Sequence, residues 1–135
     1  MRRWATEVLE RRILLKIPWA SGRGIGDYLR YRLFQSERFK FDVYLLYYPQ
    51  GTCVMPHYDK APLAGHAHHR VNLELVRPNK GGLFKHVNRG DQAVKAPASR
   101  LTHFRPDNAR HWVTPITDGY RLVLSVGWLR AEAGE

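Results

Sequence analysis

Pro56-His57-Tyr58-Asp59 is the stretch on which the reading of this chain turns. In an extended strand, side chains two positions apart project from the same face. His57 and Asp59 therefore project together, with Tyr58 turned the other way. One imidazole nitrogen and one carboxylate oxygen on a common face supply two ligands of a two-histidine, one-carboxylate facial site for a divalent transition metal. The rest of the sequence must then supply a third ligand, a scaffold of strands and a cation for an acidic cosubstrate.

The scaffold is legible on both sides of that stretch. From Phe41 onward, short apolar or alternating runs are separated by turn residues, and long helical periodicity disappears. Eight strands are expected: Phe41–Tyr48, Cys53–Asp59, Arg70–Val76, Gly82–Val87, Asp91–Lys95, Arg100–Arg105, His111–Pro115 and Tyr120–Leu129. Turn chemistry marks the breaks, as in Pro49-Gln50-Gly51, Pro78-Asn79-Lys80-Gly81 and Asn88-Arg89-Gly90. Evenly spaced short strands of this kind predict a mainly β fold, a sandwich or barrel.

Before Phe41 the texture is mixed. Trp4 to about Leu15 reads as a helix, although Ile13–Ile17 equally fits a short strand ending before Pro18. Ser21–Gly26 is a loop. Its alternate glycines are not followed by the Gly-Lys-Ser/Thr of a phosphate-binding loop, and Leu29 stands where the dinucleotide fingerprint needs its last glycine. Asp27 to about Phe34 reads as a short helix outside a sheet. One domain is expected over 1–135, with 1–40 as a supporting segment and 41–129 as the core.

Composition bounds the function classes. The 135 residues suffice for one core and are too few for two. The single cysteine, Cys53, excludes an internal disulfide and fits a reducing cytoplasm. No signal-peptide h-region follows Met1, and no run approaches a membrane span, so a cytoplasmic protein without membrane contact is expected. With 22 basic and 12 acidic residues the net charge is +10, which favours anionic partners. The bases are spread along the chain and no nucleic-acid-binding motif is present, so nucleic acid is not the favoured partner.

For the third ligand, His103 and His111 are the choices. His111 opens the stretch Arg110-His111-Trp112-Val113-Thr114-Pro115-Ile116-Thr117-Asp118-Gly119-Tyr120-Arg121. A turn at Asp118-Gly119 and a return strand would bring Arg121 back beside the His111 strand, placing a ligand and a guanidinium in one cavity. The planar fork of arginine suits a carboxylate, and His103 has no such partner at that spacing. The histidines of Gly65-His66-Ala67-His68-His69 are read as a surface loop near the site. A tetrahedral zinc site draws on separated ligand pairs, and only one thiol is present.

The ordered set resembles the Fe(II)/2-oxoglutarate-dependent dioxygenases, in their prolyl-hydroxylase-like branch. It comprises Tyr48-Pro49-x-Gly51, His57-x-Asp59, Gly81-Gly82-x-Phe84 and His111-x-Val113-Thr114-Pro115-Ile116-x-x-Gly119-x-Arg121. The resemblance covers about residues 41 to 129. It implies a double-stranded β-helix, or jelly roll, of eight strands with one or two short N-terminal helices. It implies that His57, Asp59 and His111 hold Fe(II), that 2-oxoglutarate is the cosubstrate with its far carboxylate on Arg121, and that O2 is consumed with ascorbate as a stimulant. The implied products are succinate, CO2 and a substrate hydroxylated at a C–H bond.

Softer assignments follow from the same resemblance. Tyr48 stands where the branch has a tyrosine bonded to the far carboxylate; a core tyrosine fits it equally. Relatives carry serine or threonine two residues after the arginine, where this chain has Val123. Ser125, four residues on, shares that face and is a second cosubstrate candidate. Asn72 and Glu74 share a face of the third strand, and Glu74 stands either at the mouth or buried against a cation such as Arg70. A peptide side chain or a small amino-acid-like metabolite fits as substrate. The competing class is a cupin-like module that holds a metal or small acid without turnover. Halogenation is disfavoured because halogenating relatives replace the ligand carboxylate, and Asp59 is present.

Overall fold

The structure is a computed structural model that describes residues 20–21 and 28–132. Eleven strands run in the order β1 (Ala20–Ser21), β2 (Leu29–Ser36), β3 (Phe41–Tyr48), β4 (Val54–His57), β5 (His66–Val76), β6 (Lys80–Gly81), β7 (Phe84–Asn88), β8 (Leu101–Phe104), β9 (Ala109–Val113), β10 (Ile116–Asp118) and β11 (Arg121–Ala131). They form a six-stranded sheet in the order β1-β2-β3-β11-β5-β8 and a three-stranded sheet in the order β4-β9-β7, with β10 and β6 pairing separately. Every pairing is antiparallel. This is the jelly roll that the family resemblance implied, within the sandwich or barrel class expected from the spacing of strands and turns.

Alternation decides which face is inside. Along β11, Arg121, Val123, Ser125 and Gly127 are buried while Leu122, Leu124 and Val126 are less so. The period of two sends one set between the sheets and the other outward. Tyr48, Val54, Phe84, Phe104, Val113, Ile116 and Val123 form the core, drawn from both sheets, with Tyr28 and Leu46 against it. The strand expected over Phe41–Tyr48 is present with those bounds. The one expected over Asp91–Lys95 reduces to a single bridge between His86 and Lys95. The histidines of residues 66–69 open strand β5 and are not a loop.

The expected helix over 27–34 is corrected. Residues 29–36 form β2, which pairs with β3 from Leu29↔Tyr47 to Ser36↔Phe41. The open edge of β3 offers a full ladder of backbone partners, and the aromatic residues of the segment then stack on that strand. Phe34 lies 5.3 Å from Phe41, and Tyr28 lies 4.8 Å from Tyr48. Tertiary pairing overrides the local helical pattern here. The helix expected at 4–15 lies outside the described residues. Among the described residues no helix is long and apolar enough to cross a membrane.

One glycine lets β6 and β10 approach closely. Gly81 has φ +75° and pairs with Ile116, and a Cβ there would lie 1.9 Å from the Pro115 carbonyl oxygen. The neighbour is backbone and has nowhere to go. Gly81→Ala is therefore expected to cost roughly 2–4 kcal/mol of stability, from left-handed strain and the clash together. The measurement is a lower urea midpoint at unchanged slope; a midpoint like that of the parent would refute the close approach.

Candidate metal centre

His57 ends β4 and His111 sits in the middle of β9, and the two are direct cross-strand partners. Their rings are 4.3 Å apart, centre to centre. Each Nδ1 meets the carbonyl oxygen two residues earlier in its own strand: Met55 for His57 at 2.7 Å and Ala109 for His111 at 2.9 Å. A carbonyl only accepts, so Nδ1 carries the proton and Nε2 is the atom turned to serve as a ligand. Such an outer hydrogen bond fixes both tautomer and ring orientation.

Asp59 lies just past β4, where its backbone N–H donates to the Pro106 carbonyl at 2.8 Å. Its Oδ2 is 3.2 Å from His111 Nε2 and 3.6 Å from His57 Nε2. Burial pushes the Asp59 carboxyl up. When the rings are protonated, hydrogen bonding and charge from His111 and His57 outweigh this and hold it well below the usual carboxylate range. One ligand atom from each residue lies within 4.8 Å of the others. Two imidazole lone pairs and a carboxylate oxygen facing one another are all acceptors. Only a cation between them, protons or a metal, makes that arrangement favourable. The donor set, two nitrogens and one oxygen on one face, fits a first-row divalent ion.

The three residues line a cavity of about 430 Å³ between the sheets, together with Tyr44, Tyr48, Arg30, Lys60, His68 and Arg70 among others. Tyr48 lies 5 % exposed, and burial pushes its phenol up to about 12 against the opposing charge of Arg121. It is a neutral hydroxyl at any working pH.

Arg121 is placed differently from expectation. The turn at 118–120 does not return the chain beside β9. It hands it to the other sheet, where Arg121 pairs with Tyr48 of β3 while β9 pairs with β4 and β7. The guanidinium still enters between the sheets: Arg121 is 2 % exposed, with its carbon 4.8 Å from the Tyr48 ring centre. However, it does not line the cavity of the triad. It lines a smaller one of about 100 Å³, and Phe84 and Asn72 line both. Arg121 Nε donates to Glu74 Oε2 at 3.0 Å, and Arg77 Nε donates to the other oxygen of Glu74 at 2.7 Å. Arg121 Nη1 is buried with no hydrogen-bond partner among the described residues.

Ser125 does border the triad cavity, but its hydroxyl is committed. It accepts from Arg70 Nη1 at 2.7 Å and donates to Asn72 Oδ1 at 2.6 Å. Arg70 Nη2 in turn donates to Asp42 Oδ1 at 2.6 Å. Arg70, which the sequence offered only as a partner for Glu74, pairs with Asp42 and Ser125 instead, while Glu74 takes Arg121 and Arg77. The available signal was the alternation of Arg70 with His68 and Asn72 along one strand face, opposite a glycine: a Cβ on Gly127 would lie 2.2 Å from the Arg70 guanidinium. His103 is not near the triad. It bonds His69 at 3.1 Å and stacks beside Trp128.

No family model matches the chain, and no curated protein matches its sequence. Solved structures do match. A prolyl-4-hydroxylase from Pseudomonas putida superposes with a TM-score of 0.65 at 20% identity, over 98% of this chain and 86% of that one. An oxidoreductase of the 2OG-Fe(II) oxygenase family from Burkholderia pseudomallei gives 0.66 at 15%, over 96% and 81%. The cupin domain of Cnp3 from Schizosaccharomyces pombe gives 0.55 at 11%, over 87% and 72%. At such identities the likeness establishes the fold alone, a jelly roll found in oxygenases and in cupins.

Proposed function

We propose that the chain is an Fe(II)- and 2-oxoglutarate-dependent dioxygenase that hydroxylates a C–H bond and releases succinate and CO2. The observation that carries this reading is the convergence of His57 Nε2, His111 Nε2 and an Asp59 oxygen within 4.8 Å, each imidazole turned by its own backbone carbonyl. These three residues would hold the iron, which when bound supplies O2 activation and the oxidative step. The likeness to an oxygenase fold supports the same reading.

The protein's own part is binding, orientation and exclusion of water. His57, Asp59 and His111 would hold the metal from one side of the cavity, which leaves the rest of the cavity for cosubstrate and substrate to meet. The buried Nη1 of Arg121 is a donor in want of an acceptor, and the far carboxylate of 2-oxoglutarate would satisfy it. Tyr48, bordering the cavity with Arg121 against its ring, would donate its unionised hydroxyl to the same carboxylate. Ser125 would act through Arg70 and not on cosubstrate directly, since both its hydrogen-bonding roles are filled.

One observation favours a second reading, a cupin-like module that binds a metal or small acid without turnover. Arg121 already has an acidic partner in Glu74, so part of its charge is satisfied from within the chain.

Succinate release from 2-oxoglutarate, with Fe(II) and ascorbate supplied, separates the two. The dioxygenase reading expects release that Asp59→Ala abolishes, together with loss of stoichiometric Mn(II) binding by that variant. Stoichiometric Mn(II) binding with no succinate under any substrate would leave the binding module. Arg121→Ala is expected to raise the 2-oxoglutarate KM by about tenfold or more, the worth of a charge-assisted bond. An unchanged KM would mean that another group takes the far carboxylate.

A further inference from the structure

We propose that the substrate of this site is a small molecule bearing an oxyanion, a carboxylate or a phosphate, and that Arg30 and Lys60 receive it. The word substrate rests on the reading above; the oxyanion site rests on the charges of the cavity alone.

The cavity of the triad is bordered by three permanent cations, Arg30, Lys60 and Arg70, and by two carboxylates, Asp42 and Asp59. Both carboxylates are taken. Asp42 is 2.6 Å from Arg70, and Asp59 faces the two imidazoles. Arg30 and Lys60 remain, and among the described residues neither has a carboxylate within ion-pairing distance. Both are exposed, which puts them at the mouth, where an incoming molecule meets them before it reaches the metal ligands. They come from different parts of the fold. Arg30 projects from β2 of the large sheet, and Lys60 follows Asp59 directly, so they border the cavity from separate walls.

The Tyr44 ring ties this mouth to the interior. The Arg30 guanidinium lies 6.0 Å from its centre, and that of Arg70 lies 5.9 Å from the same centre. Contact with the ring restrains the Arg30 side chain without consuming any of its N–H donors. An oriented fork with free donors, and an ammonium bordering the same cavity, form a set of donors that suits an oxyanion. A neutral substrate would gain little from either cation, whereas an oxyanion is drawn by both. The cavity volume suits a small ligand. A polynucleotide would call for a track of bases, whereas two cations border this mouth beyond the paired Arg70.

Arginine Nε and lysine side-chain NMR resonances of the full chain, supplied with Zn(II) and N-oxalylglycine, test the assignment without turnover. The probes are acetate and methylphosphonate at constant ionic strength, with acetamide as the neutral control. The expected result is a saturable shift at Arg30 and Lys60 with at least one anion and none with acetamide. Affinity should fall about tenfold or more in Arg30→Gln and in Lys60→Gln and be largely kept in Arg30→Lys. The tighter anion tells carboxylate from phosphate. Non-saturating shifts, an equal response to acetamide, or affinity unchanged in both glutamine variants would overturn the assignment. Saturable anion binding in a chain that never releases succinate would fault the dioxygenase reading alone. Succinate release beside non-saturating shifts would fault the oxyanion site alone.

Discussion

The pairing of His57 with His111 across two antiparallel strands is the constraint from which the site follows. Direct cross-strand partners on one face bring side chains within reach whatever their separation in sequence. Here that pairing spans the whole middle of the chain. The backbone then finishes the work, since each imidazole is turned by the carbonyl two residues before it. No additional side chain is needed to present the Nε2 atoms. Asp59 can lie off the strand and still join them because the Pro106 carbonyl anchors its N–H. The two imidazoles are held by sheet geometry, which is stiff, and the carboxylate by one backbone hydrogen bond just past the strand.

Around it the interior is divided into two polar circuits. Asp42, Arg70, Ser125 and Asn72 form one, along the wall of the triad cavity. Glu74 with Arg121 and Arg77 forms the other, behind Phe84. Each buries charge that is paired and hydrogen-bonded, as burial demands. Ser125 and Gly127 are neighbours on the inward face of β11, and both serve Arg70, one by accepting its proton and the other by leaving it room.

How much of this was legible depends on which kind of pairing is asked about. Period-two alternation and turn residues marked β3, β4, β9 and β11 closely, but the strand expected through Asp59 ends at His57, and the carboxylate reaches the two imidazoles from just past it. Those signals are local. The partner of Arg121 was not legible, because it depends on a register shift between Leu122 and Val123 that sets Glu74 opposite Val123. Nor was the sheet in which Arg121 lies: a tight turn reads as a hairpin, and here it is a crossing from one sheet to the other. Residues 29–36 misled for a related reason. Their spacing suits a helix, and only the free edge of β3 makes them a strand. The pairing of Arg70 was hidden because it depends on a glycine on another strand.

The two arginines on Glu74 carry a consequence for electroneutrality. Counted alone, Arg121, Arg77 and Glu74 sum to a single positive charge. A lone arginine in that interior would carry the same charge, but with no internal acid to spread it and with more of its N–H groups unsatisfied. Arg77 is half exposed, so water shares its charge, while Glu74 balances Arg121 in the interior. What the pair leaves over is therefore a directional deficit and not a net charge: one buried N–H, at Nη1, without an acceptor among the described residues.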